Sequence, residues 1–237
     1  MPKITTIISL FILGIAGGIF ADQILWPYFI EKPLFYQYRL EQNPIYLTEK
    51  KEVTITENVA LQDAIEKVEN TIVGVRTKTT EGNILEGSGL VITSDGLFIT
   101  LNDLIPKGSE LIFYINGQPV AFQIIKRDSI QNLALIKAET GNLSTVGFAD
   151  LDKTRIGQRV FLIGALLENK AIQRIANEGI IKSFNQESIE TNIYENANLA
   201  GSPLFDIEGK LLGLNQVNSQ GQITAISINQ IKKFIGL

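Results

Sequence analysis

Between Ile72 and Ile228 the chain breaks into about a dozen short runs rich in β-branched and aromatic residues, each closed by Gly, Asn, Asp or Ser. Ile72 to Lys78 is the first. Leu90 to Thr93 and Leu97 to Thr100 flank Ser94-Asp95-Gly96, and Leu111 to Ile115 and Val120 to Ile125 flank Asn116-Gly117, both hairpin signals. Further runs cover Leu133 to Lys137, Arg159 to Gly164, Ile172 to Ala176, Gly179 to Phe184 and Ser188 to Asn192. The last are Leu204 to Asp206, Lys210 to Gln216 and Gln222 to Ile228. Short strands joined by tight turns predict an all-β sandwich or barrel rather than alternating βαβ units. The looser stretch Glu139 to Asp152 is the natural seam between two halves. Short helices are expected at the two ends of this region. One starts at an Asn58 N-cap with Leu61, Ala64, Ile65 and Val68 at helical spacing, and the other covers Gln230 to Ile235.

Composition limits the chemistry. The chain contains no histidine, so no Ser-His or Cys-His pair, no imidazole proton shuttle and no histidine metal ligand is available. A zinc site would have to be built from carboxylates alone, and neither a metal nor another cofactor is expected. Cysteine is also absent, which rules out a disulfide framework and leaves the compartment open. Net charge is −4 and no basic run is long enough for a nucleic-acid footprint.

Lys3 precedes an uncharged apolar run, Ile4 to Ala21, just long enough to span a hydrocarbon core of roughly 30 Å. Trp26, Tyr28 and Phe29 follow where an interfacial aromatic belt would sit. The run reads as an uncleaved single-pass anchor. Lys3 and the terminal amine favour a cytoplasmic N-terminus, with the remainder extracytoplasmic. A cleavable signal peptide, with Ala16 and Gly18 as its small residues, and a buried core helix are the competing readings. The expected organisation is an anchor over residues 1–30, a stalk over 31–56 containing Pro33, Pro44 and the cluster Phe35, Tyr36, Tyr38, and a domain over 57–237. The two halves of that domain are expected at about 71–140 and 150–228.

Several ordered motifs make the domain more specific. They are GSGLVITSDGLFIT (Gly87 to Thr100), DSIQNLALIKA (Asp128 to Ala138), IGQRVFLIG (Ile156 to Gly164), NEGIIKS (Asn177 to Ser183) and IETNIYENANLAGSPLFDIEGKLLGLN (Ile189 to Asn215), followed by AISINQIKKFI. Together they resemble the HtrA (DegP-like) branch of the trypsin-like serine proteases, whose corresponding patterns include DLALLK, GNSGGPL and the closing AIP segment. The resemblance implies two six-stranded β-barrels with a cleft between them. It ends at the closing helical turn, so no PDZ domain is expected. Family members often trimerise through an N-terminal aromatic segment, and the Phe35 to Tyr38 cluster permits a trimer.

The same resemblance locates the catalytic positions and finds all of them altered. Asp103 stands at the family's histidine, Asn132 at its aspartate and Ala200 at its serine. A methyl group cannot form an acyl intermediate, a carboxylate is a weak base at neutral pH, and an amide supplies no charge to orient an imidazolium. In the oxyanion loop (Asn198, Leu199, Ala200), asparagine replaces the donor glycine; because asparagine tolerates positive φ, part of that geometry is expected to survive. Leu211, Leu212, Gly213, Leu214, Asn215 and Gln216 correspond to strands that bind substrate backbone by strand addition. The expected protein is therefore an inactive serine-protease homologue that binds peptides, unfolded proteins or an active paralogue. The alternatives are an endopeptidase with a rearranged site, using Ser202 with a lysine base, and a purely structural envelope module. A carboxylate metal site at Asp103 and Asp128 is the remaining enzymatic variant.

Overall fold

The computed structural model of the chain describes residues 2–25, 59–168 and 171–237. It divides into two units, residues 1–54 and 55–237. The aromatic belt (Trp26, Tyr28, Phe29), the stalk with its Phe35 to Tyr38 cluster and the Asn58 cap fall outside the described residues. In the first unit, helix α1 (Pro2–Phe20) continues through a wider π-helical turn over 21–25. The segment Ile4–Leu25 is long and apolar enough to cross a membrane, and none of it is buried.

The second unit starts with helix α2 (59–68), which turns Ala64 and Val68 into the core and half-buries Leu61 and Ile65, as their spacing predicts. Seven strands follow: β1 (Ile72–Lys78), β2 (Ile84–Val91), β3 (Leu97–Leu101), β4 (Glu110–Ile115), β5 (Gln118–Val120), β6 (Phe122–Asp128) and β7 (Leu133–Ala138). Their order in the sheet is β5-β4-β1-β2-β3-β7-β6. The strands at its two edges, β5 and β6, are separated in sequence by Ala121 alone. One bent segment therefore stands at both ends of the order, and the curled sheet closes through the chain rather than through a ladder. Counted this way, the first half matches the expected six strands.

The second half comprises β8 (Arg159–Glu168), β9 (Ala171–Phe184), β10 (Ser188–Tyr194), β11 (Pro203–Asp206), β12 (Leu211–Val217) and β13 (Gln222–Ser227), closed in the order β10-β13-β12-β11-β8-β9. Helix α3 (Ile228–Ile235) ends the fold, with the Ser227 side chain accepting from the Gln230 N–H. Two expectations need correcting. Ile172 to Ala176 and Gly179 to Phe184 are not separate strands but parts of the 14-residue β9, which pairs with β8 without a register shift from Ala171 to Ile180. Asn177 and Glu178, left between the two expected strands, are carried through by their pairing with Leu162 and Phe161 on β8. Conversely, β2 begins at Ile84, six residues before the apolar run, because the polar, glycine-containing stretch before Leu90 pairs with β1.

The apolar residues facing inward from both halves form one cluster. Phe113 meets Phe98 and Phe122 edge-on at 5.0 and 4.7 Å, and Phe161 lies against Phe205 at 5.4 Å. Each fully buried aromatic contributes about 1.5–3 kcal/mol by leaving water. Ser88 on β2 ties the halves together. Its N–H donates to the Ala200 carbonyl at 2.9 Å, its hydroxyl accepts from the Ala165 N–H at 2.9 Å, and its carbonyl accepts from the Thr100 hydroxyl at 2.7 Å.

Candidate functional site

Strand β3 runs into a 3-10 turn, Asn102–Leu104, that carries Asp103. Buried Leu104 and Ile105 hold this turn down. The Thr77 hydroxyl donates to the Leu104 carbonyl at 2.6 Å, and the Arg127 guanidinium donates to the Ile105 carbonyl. Burial pulls Arg127 below its ordinary pKa, though an arginine remains charged. Across from it, Asn132 takes a left-handed conformation with φ of 55° in the turn before β7. Its backbone carbonyl accepts from the Asn102 N–H at 3.2 Å and its side-chain oxygen from the Asp103 N–H at 2.9 Å. Asn132 thus caps the backbone of Asp103.

This cap gives a graded prediction. Asn132→Asp keeps the acceptor and tolerates the conformation, so the melting temperature should hardly change. Asn132→Ala loses the hydrogen bond and is strained at positive φ, for an expected loss of about 1.5–3 kcal/mol. Thermal unfolding followed by circular dichroism compares the two; equal stability of both variants contradicts a capping role.

The third position lies in the loop before β11. Residues Ala197–Leu199 form a 3-10 turn, and the Ala200 N–H donates to the Ala197 carbonyl at 3.0 Å. That amide is the one an oxyanion hole would need at residue 200. Asn198 is not among the residues with positive φ, so the expected survival of the hole through its conformational tolerance is not observed. The reason lies one residue further on. Leu199 is 1% exposed and packs on Gly164, where an added Cβ would stand 2.3 Å from its Cδ2. Burying this leucine draws the turn inward and closes the i to i+3 hydrogen bond.

Asp103, Asn132, Asn198, Ala200 and Gln216 come together on one cleft of about 840 Å³. Its walls are largely aliphatic, with Leu85, Leu101 and Leu104 among them. Leu199 lies behind the cleft. The expected strand-addition edge is corrected as well. Leu211, Leu212, Gly213, Leu214 and Asn215 are buried within β12, which is flanked by β11 and β13. Leu211 also exchanges bonds with Gly147 and Ala149, and Asn215 with Gly201 and Ser202. Edge groups become available only past Asn215. Gln216 and Val217 pair with Thr224 and Ile223 on β13, while both line the cleft. Because ladder bonds alternate sides along a strand, the N–H and C=O of Val217 are the next to face away from β13.

Ser202 is fully buried, its hydroxyl accepting from the Asn215 side chain at 3.1 Å, and so is not presented to the cleft. Asp128 accepts from the backbone N–H groups of Ile130 and Gln131, both at 2.9 Å, and serves its own turn. Sequence reading missed Arg76 and Glu86, which also line the cleft as cross-strand partners of β1 and β2, 3.9 Å apart. Only the strand register makes them neighbours.

The two-barrel frame and the position of this cleft agree with a family match over residues 87–214, more than half of the chain, and the chain belongs to the trypsin-like peptidase domain family. Within it, the similar proteins are of the HtrA/DegP-like kind. The "Probable periplasmic serine endoprotease DegP-like" of Halomonas elongata is 26% identical over 138 residues, covering 54% of this chain and 28% of that protein. Its counterparts from Pseudomonas fulva and Marinomonas sp. are each 28% identical over 138 residues, covering 54% of this chain and 28% and 29% of theirs. The match thus spans little more than a quarter of the length of these relatives.

Proposed function

We propose that the protein is a membrane-anchored trypsin-like domain that has lost peptidase chemistry and uses its cleft to bind extended peptide segments. The observation that carries this reading is an open cleft whose wall presents a methyl group at residue 200 and an amide N–H there already spent on Ala197. No imidazole exists in the chain to activate a nucleophile, and buried Ser202 is out of reach of a substrate carbonyl. Binding needs none of these groups. A segment laid along Val217 gains main-chain hydrogen bonds by strand addition, while the aliphatic walls take alternate side chains. A filled cleft would have favoured a purely structural role. Such a domain would hold unfolded proteins or an active paralogue. The apolar helix Ile4–Leu25 and the cationic N-terminus support anchoring with the domain on the extracytoplasmic side, and a homotrimer is compatible with it.

The test is direct. The purified full chain in detergent is expected neither to hydrolyse unfolded casein nor to label with a fluorophosphonate. A triad-less site that keeps its oxyanion hole retains about 10³–10⁴-fold acceleration over water, already undetectable beside ordinary turnover of about 1–10³ per second, and with the residue-200 amide bonded to Ala197 less still is expected here. Turnover that persists through further purification and disappears in Ser202→Ala would establish a rearranged protease instead.

A further inference from the structure

We propose that Asp103 makes the cleft selective for peptide segments that carry a lysine or arginine side chain; this rests on the peptide-binding reading above. Three charged side chains line the cavity: Arg76, Glu86 and Asp103. Arg76 and Glu86 face each other across the β1–β2 ladder and offset one another. Asp103 is exposed, and among the described residues no cation pairs with its carboxylate. The uncompensated charge of the cleft is therefore one carboxylate. Among the described residues the side-chain oxygen of Asn198 has no hydrogen-bond donor, but solvent does not reach it, so the Asp103 carboxylate alone calls for a donor-rich, positively charged group.

The surroundings match a long basic side chain. Leu101 and Leu104 line the cavity on either side of Asp103 in sequence, and Leu85 adds to the aliphatic wall. Such a surface accommodates the methylene stem of lysine or arginine while the head reaches the carboxylate. The carboxylate is also held on a fixed backbone, since Asn132, Thr77 and Arg127 all bond the turn that bears it. Little ordering is then required when a ligand arrives. A neutral aliphatic side chain would strip water from Asp103 without replacement, and an acidic one would be repelled.

Fluorescence polarisation with the full chain in detergent tests this, using three fluorescein-labelled ten-residue peptides of alternating Val and Thr with a central lysine, norleucine or glutamate. The lysine peptide is expected to bind about threefold to tenfold more tightly than the norleucine peptide, with glutamate weakest. Asp103→Asn, which keeps the side-chain shape and the backbone N–H, should abolish the lysine advantage, whereas Glu110→Gln, which removes an exposed carboxylate outside the cleft, should preserve it. Equal affinity for lysine and norleucine, or a lysine advantage that survives Asp103→Asn, overturns the selectivity and leaves peptide binding standing. No binding by any of the three peptides overturns the binding reading and the selectivity together.

Discussion

Gly201→Ala is expected to destabilise the domain by about 2–5 kcal/mol, a large share of the roughly 5–15 kcal/mol that holds a typical domain folded. Gly201 sits at φ of +77°, where a Cβ would stand 2.2 Å from the Ser88 carbonyl oxygen and 3.0 Å from Leu104 Cδ1. A left-handed alanine costs about 1–2 kcal/mol by itself, and overpacking about 1–3 kcal/mol more. The obstructing atom belongs to backbone, and Ser88 is held by bonds to Ala200, Thr100 and Ala165. Gly157→Ala is the control. It has φ of +84° with nothing within 4 Å of an added Cβ, so only the conformational cost applies. Chemical unfolding of both variants in the same detergent measures the difference. Similar losses for the two would mean that the Ser88–Ala200 junction yields, contrary to its bonding.

The second large effect concerns repair of the triad. The combined variant Asp103→His, Asn132→Asp, Ala200→Ser is expected to remain at least about 10²-fold below a DegP-like relative in casein turnover, because an oxyanion donor alone is worth about 10²–10³ in rate. The N–H of residue 200 would still be bonded to Ala197, and Leu199 would still anchor the turn at Gly164. Adding Asn198→Gly and Leu199→Asn removes that anchor and is expected to raise fluorophosphonate labelling above that of the triple variant. Full labelling of the triple variant alone would show that the turn opens without help, and that the commitment of the residue-200 amide is not a barrier.

Much of this architecture was legible because its signals are local. Asn116-Gly117 marks a hairpin by turn chemistry, and Leu61, Ala64, Ile65 and Val68 mark α2 by period. The strand signal failed where pairing overrode local preference. Asn177-Glu178 was absorbed into β9, and the polar start of β2 was held by β1. At the site, Asp103, Asn132 and Ala200 could be named from motif position, and the structure gathers them on one cleft. Arg76 and Glu86 could not, since no motif marks them. The strand-addition edge was placed along Leu211 to Gln216, but most of that stretch is interior, a distinction that depends on which strands flank β12.

The sequence by itself determined which groups are absent. With no histidine in the sequence, no imidazole is available to activate a serine, whatever the fold does. It also determined an all-β fold of short hairpin-linked strands, because turn residues and β runs act over a few positions; the two-barrel arrangement was implied only by the family resemblance. Tertiary structure alone decided what the remaining atoms do. The Ala200 amide turns to Ala197 because Leu199 finds a buried place on Gly164, 35 residues earlier in the chain. Asn132 spends its side-chain oxygen on the Asp103 backbone, and among the described residues no cation pairs with the Asp103 carboxylate on the cleft. Hydrogen bonds and burial depend on distances between segments remote in sequence, and those distances are set only when the barrels close.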